Sequence, residues 1–346
     1  MLCATMLSIR PLTSTTSTGA NFSASVAACA PLDERIPITG ATRTRPSPHM
    51  MRRFAPTLKG LSFIMEPHHF FTAQRVLIVA GKGGVGKSAV ASSLALLAAQ
   101  SGLRTLLVSF DAETIEVPAH ERLEKVVVTP GKALTDYLAS KGMGLISRQL
   151  AKSGIVELVA TTAPGLDDLL VLGRIKAFEK ELRADVIIVD GPAAGHAIDL
   201  VRAPLQLKRA LATGPIAQQA DEVLAMLGDG SRCRVLMVTT PAMTPVQETV
   251  EAATELRDDV KIVLAPVVVN KSEVAVPVLD TAGMPQELVD AYAYASQRTQ
   301  AQRDAVATLS TSLDLPQLAI TRRRLEGAEL VNAIVEDLAV AIEALS

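Results

Sequence analysis

A short apolar run that ends in a glycine-rich turn and then a helix constrains this chain more than any other feature. Residues 75–80 (RVLIVA) read as a buried strand, β-branched and bounded by glycine. GKGGVGKS follows at 81–88, and SAVASSLALLAAQSG (88–102) reads as a helix closed by Gly102. Strand, glycine turn and helix in that order are the context in which G-x-x-x-x-G-K-[ST] forms a phosphate loop. Gly81, Gly83, Gly84 and Gly86 permit backbone conformations closed to other residues, so successive N–H groups can converge on an anion at the helix N-terminus. Lys87 is placed to reach the β- and γ-phosphates, and Ser88 to ligate Mg²⁺. The expected nucleotide contacts run from Gly81 through Lys82, Gly83, Gly84, Val85, Gly86, Lys87 and Ser88 to Ala89. Lys82 is a second cation that the pattern does not require.

Further strands are expected at 104–110, 184–190, 233–240 and 261–270, with helices at 244–257, 286–309 and 324–345. Strands alternating with helices predict an α/β fold, a mostly parallel sheet covered on both faces. Two aspartates finish strands. Asp190 ends DVIIVD, where a carboxylate that holds Mg²⁺ through water belongs. Asp111 follows RTLLVSF, where it would orient or deprotonate an attacking water. Either residue could instead be a helix cap or a turn residue.

Composition removes several function classes. The formal net charge is -2, which speaks against nucleic-acid binding by bulk charge. Aromatics are 3% of residues and Trp is absent, so base-stacking platforms are not expected. Cys3, Cys29 and Cys233 are far apart and form no C-x-x-C pair, which suggests neither a zinc knuckle nor a disulfide framework. A reducing, cytoplasmic setting follows. No apolar run approaches the roughly 18 residues of a membrane-spanning helix. Residues 1–72 differ from the rest. STTSTGANFSASVAA is low in complexity, TRTRPSPHMMRRF is basic, and the segment is expected to be disordered. Met65 is the preferred start of translation; an organelle-targeting leader over 1–64 is the other reading. Residues 73–346 are expected to form a single domain.

GKGGVGKS resembles the deviant Walker A motif K-G-G-x-G-K-[ST]. The chain over roughly 74–346 resembles the family of arsenical-pump ATPases and tail-anchored-protein-targeting ATPases, and within it the actinobacterial anion-transporting branch. SFDAET (109–114), VDGPAAGHAIDLVRAP (189–204), VTTPAMTPVQETVE (238–251) and VVVNK (267–271) carry the resemblance with the loop, in the family's order. The resemblance implies an ATPase that uses ATP and Mg²⁺ and works as a nucleotide-sandwich dimer, either of two identical chains or with a paralogue. It makes Lys82 the signature lysine that reaches the partner's phosphates, in place of an arginine finger supplied in trans. It makes Asp190, Gly195 and His196 the moving switch, and the side chain of Asn270 the adenine contact. A solvated, idle Lys82 is the alternative. Three departures stand out. Ala89 replaces a second hydroxyl, Asp111 is followed by Ala112 and Glu113 rather than Pro-Ala, and the ATPase region holds no cysteine but Cys233.

Residues 119–183 are read as a helical insert. Leu166, Leu169, Leu170, Ile175 and Phe178 fall near helical spacing, which fits either a client surface or a cover for one sheet face. The rival functions are a GTPase, because NKSE (270–273) comes close to N-K-x-D, a DNA-partition ATPase, because of the arginines in TRRRLE (321–326), and a nucleotide-gated scaffold with slow turnover.

Overall fold

The computed structural model describes residues 66–110, 116–142, 165–191, 196–211 and 213–345, and the side chains of His196 and Ala197 are also outside the description. The chain separates into two units, 1–59 and 60–346, and every described residue belongs to the second. Seven strands form one parallel sheet in the order β3-β2-β4-β1-β5-β6-β7. They are β1 (Val76–Ala80), β2 (Thr105–Ser109), β3 (Leu123–Val127), β4 (Val186–Asp190), β5 (Cys233–Thr239), β6 (Val267–Ser272) and β7 (Gln317–Thr321). The four central strands β2, β4, β1 and β5 are buried nearly throughout, as parallel strands covered on both faces must be.

The alternation along β1 shows how the layers divide. Val76, Ile78 and Ala80 face one core, and Leu77 and Val79 face the other. On the second face lie α1 (Pro67–Thr72), α2 (Lys87–Gln100) and α9 (Gly327–Glu343). On the first lie α3 (Pro130–Ser140), α4 (Leu166–Lys180), α5 (His196–Ala210), α6 (Pro215–Leu227), α7 (Met243–Asp259) and α8 (Gln286–Ser312). Helix α2 is buried almost all round, because α9 packs over the side turned away from the sheet.

Four expectations change. The helical insert over 119–183 contains a strand, β3, and β7 was also unforeseen. Both are edge strands: LEKVV has no fully buried residue and QLAIT alternates in burial, so neither forms the apolar run that marks a central strand. The strand expected at 261–270 begins only at Val267. Pro266 cannot donate to the ladder, and before it only Leu264 bridges to Val235. The N-terminal boundary moves ahead of residue 67, because α1 seats Phe70 and Phe71 in the second core. In the insert, Leu169, Leu170, Ile175 and Phe178 all lie in the first core, so α4 covers the sheet and its apolar stripe is not a free client surface. Residues 143–164 of the insert lie outside the described residues.

Candidate nucleotide site

The loop leaves β1 flush against its neighbour. A Cβ on Gly81 (φ +150°) would clash with the carbonyl oxygen of Val238 on β5, an atom that cannot give way. Gly86 caps α2 in the left-handed region at φ +95°, and a Cβ there would run into the side-chain amide of Asn270. That close approach has a use. Asn270 Nδ2 donates to the Val85 carbonyl at 2.8 Å, and Lys271 Nζ donates to the Gly84 carbonyl at 2.9 Å. The end of β6 therefore clamps two consecutive loop carbonyls. Lys271 takes φ +61° to do so, and its own N–H donates to Asn270 Oδ1 at 2.8 Å. Asn270 is 4% exposed with both ends of its amide engaged, so it holds the loop here rather than offering the open edge expected for adenine.

Two charged groups stand on the helix side of the loop. Lys87 is 6% exposed and its Nζ donates to the Lys82 carbonyl at 3.1 Å. Burial lowers its pKa, and Asp190 raises it in opposition. Asp190 ends β4, beside β1, and is 8% exposed. Its Oδ1 is the one buried side-chain oxygen or nitrogen among the described residues with no hydrogen-bond partner. An orphaned carboxylate oxygen is costly unless something positive or protic completes it. With the Ser88 hydroxyl next to it, the donor set is all oxygen and suits a hard divalent cation such as Mg²⁺.

Burial pushes the Asp190 carboxyl above its ordinary pKa, and the Ser88 hydroxyl, Lys87 and Lys125 pull it back. A raised folded pKa means that the folded protein binds a proton more readily than the unfolded chain. Stability is therefore lost as pH rises from the unfolded value toward the folded one, and stays lower above it. Asp190→Asn is expected to raise the melting temperature of the nucleotide-free protein at neutral pH by a few degrees, on the order of 1 kcal/mol. The advantage should vanish in acid. Thermal melts of both proteins from acid to neutral pH check this; an advantage independent of pH would mean that Asp190 carries no buried charge.

Lys82 lies at the outer rim. Its side chain is 59% exposed, and it forms an ion pair with Glu248 on α7. Glu248 belongs to the stretch TPVQETVE, which was visible in sequence, but nothing local pairs it with residue 82.

Beyond Lys271, an open cavity of about 570 Å³ lies at the carboxyl ends of β5, β6 and β7, the sheet edge that also bears the loop. Thr240, Pro241, Lys271, Glu273, Arg298 and Arg322 are among the residues that line it. A crevice outside the carboxyl ends of parallel strands is where open α/β sheets take their ligands. Glu273 is held there on three sides. Its N–H donates to Gln302 at 3.0 Å, and its Oε1 accepts from Arg298 and, at 2.9 Å, from Arg322. Arg323 pairs with Asp337. Two of the three arginines in TRRRLE are thus engaged within the fold, and the segment precedes α9 instead of starting it.

Asp111 and Gly195 lie outside the described residues, as does the side chain of His196, whose backbone begins α5. Ala89 is buried in α2 at 4% exposure. Among the described residues, no helix is long and apolar enough to cross a membrane, and no cluster of three His, Cys, Asp or Glu side chains could hold a metal.

Residues 74–126 and 133–224 match the family described as anion-transporting ATPase. The "ATPase BagA" of Mycobacterium tuberculosis is 31% identical over 226 residues, 57% of this chain and 65% of that protein. The "Putative arsenical pump-driving ATPase" of Halobacterium salinarum is 26% identical over 73% of this chain and 42% of its own length. The "ATPase GET3" of Chaetomium globosum is 28% identical over 40% of this chain and 45% of its own. The chain thus spans 65% of the length of its mycobacterial relative and less than half of the other two. The matched segments contain β1, the phosphate loop and Asp190, the elements from which the site is built, and over them the chain is similar to the anion-transporting ATPase family.

Proposed function

We propose that this chain is a Mg²⁺-dependent ATP hydrolase that works as a nucleotide-sandwich dimer and passes a conformational change to a partner protein. One observation carries the nucleotide site. A buried lysine, Lys87, and a buried carboxylate with an unpartnered oxygen, Asp190, face the same glycine loop. Neither is stable for its own sake, and a phosphate with its cation completes both.

In this reading the loop from Gly81 to Ala89 cradles the phosphates and Lys87 exchanges its contact with the Lys82 carbonyl for the β- and γ-oxygens. Ser88, and Asp190 through water, hold Mg²⁺, which neutralises phosphate charge when bound. Asp111 orients the attacking water. Lys82 breaks from Glu248 and serves the phosphates of the other subunit, an identical chain or a paralogue. The segment from Asp190 through Gly195 and His196 into α5 carries the signal. α5 packs against α4, which gives it a route toward the insert.

The exposed, weakly held state of Lys82 supports the dimer, because a surface ion pair is worth only about 0–1 kcal/mol and releases easily. The ion pairs made by the TRRRLE arginines speak against the DNA-partition reading. Phosphate release with Mg²⁺-ATP, with Mg²⁺-GTP and with EDTA added tests the proposal. Metal-dependent release from ATP is expected. Release from GTP alone would establish the GTPase instead, and tight ATP binding without release would establish the scaffold.

A further inference from the structure

The first two residues of NKSE carry a backbone irregularity that a plain parallel strand does not need. Val269 pairs with Ala319 and Ser272 with Thr321, so β6 advances three positions while β7 advances two. The extra residue makes a bulge at Asn270 and Lys271, and bulges re-aim side chains beside functional sites. Lys271 takes φ +61° there, and of the three non-glycine residues with positive φ among the described residues it is the one inside a strand. That conformation is disfavoured for a lysine, so its surroundings must hold it. The Lys271 N–H donates to Asn270 Oδ1 at 2.8 Å, its Nζ donates to the Gly84 carbonyl at 2.9 Å, and the Arg322 N–H donates to the Ser272 carbonyl at 2.8 Å. Resting on the nucleotide site proposed above, we infer that the β6 bulge makes Lys271 a positioning residue that presets the phosphate loop for its ligand.

Strand geometry explains why a bulge is needed. In a regular strand successive side chains point to opposite faces, so only one of residues 270 and 271 could reach the loop. Here both do, on consecutive carbonyls. Peptide geometry gives the consequence. In a trans peptide the C=O and the N–H point opposite ways. With the carbonyls of Gly84 and Val85 drawn to the end of β6, the N–H groups of the same two peptide units, those of Val85 and Gly86, are turned away from it. N–H groups turned to one side of a glycine loop are what a phosphate binds. Gly84 has most need of a tether. It has φ +81°, a Cβ on it would meet nothing within 4 Å, and a glycine without packing adopts either sign of φ. Lys271 touches the loop and not the nucleotide, so it acts equally on the bound state and the transition state.

Displacement of a fluorescent adenine nucleotide from the full chain by ATP, with a thermal melt of each nucleotide-free protein, tests this in the unmodified protein, Lys271→Ala, Lys271→Gly and Lys271→Arg. Both small replacements should weaken ATP about fivefold, the worth of one exposed hydrogen bond. The glycine variant should melt a few degrees above the alanine variant, because alanine keeps the left-handed strain and glycine does not. Lys271→Arg can donate to the same carbonyl and should keep most of the affinity. In phosphate release, the small replacements should raise KM and leave kcat unchanged. A merely structural role would make affinity follow the melting temperature, with the glycine variant binding ATP better than the alanine variant, and that result overturns the inference. So does parental affinity in both small variants. Failure of the unmodified protein to bind ATP would instead overturn the phosphate-site reading, and the positioning role with it.

Discussion

Lys87→Ala is expected to lower ATP turnover by at least about 100-fold, the loss seen when one preorganised charge is removed from a transition state. The side chain is buried, so it sheds little water when phosphate arrives, and its ammonium is already aimed across the loop at the Lys82 carbonyl. Exchanging that neutral acceptor for phosphate oxygens turns an ordinary hydrogen bond into charge-assisted ones. Because Lys87 also offsets the buried Asp190 carboxylate, the stability of the nucleotide-free variant is measured beside its turnover. This separates lost chemistry from lost folding. Phosphate release and a thermal melt on the same sample check it, and near-parental turnover would dismiss the loop as the reaction site. Lys87→Arg should fail as well, since a planar guanidinium does not reproduce a compact ammonium.

Lys82→Ala should bind ATP with modest loss yet hydrolyse it on the order of 10³-fold more slowly, as proteins do that lose a finger residue supplied in trans. The lysine sits at the rim, more than half exposed, and it holds no group of its own loop by side chain. Its partner Glu248 is also partly exposed, so leaving it costs little. The test that separates a trans from a cis role is mixing. Lys82→Ala subunits and Asp111→Asn subunits should each be inactive alone. In a mixed dimer, one site keeps its own Asp111 and receives Lys82 from the other subunit. Partial recovery of phosphate release is expected. No recovery, with mixed dimers demonstrated by sedimentation, would place Lys82 in its own site or outside catalysis.

Much of this protein was legible in the sequence because it is local. The run from Arg75 to Gln100 specifies a strand, a loop and a helix through neighbouring residues alone, and the glycines that the loop needs are contiguous with it. The buried central strands could be read as apolar runs, and Asp190 could be read at the end of one. Edge strands β3 and β7 escaped for the converse reason. β3 is nowhere fully buried and β7 alternates between buried and more exposed positions, so no continuous apolar signal marks them.

What only the tertiary structure decided is the set of partners brought together by the parallel sheet. Asn270 and Lys271 reach loop carbonyls 185 and 187 residues away, because β5 alone separates β6 from β1. Glu248 meets Lys82 across 166 residues, and Glu273 is enclosed by arginines from α8 and from beyond β7. Each pair consists of common polar residues whose spacing carries no pattern. Parallel strands need long crossover connections, so neighbours at the carboxyl edge of the sheet are distant in the chain, and their pairing is set by strand order rather than by local sequence.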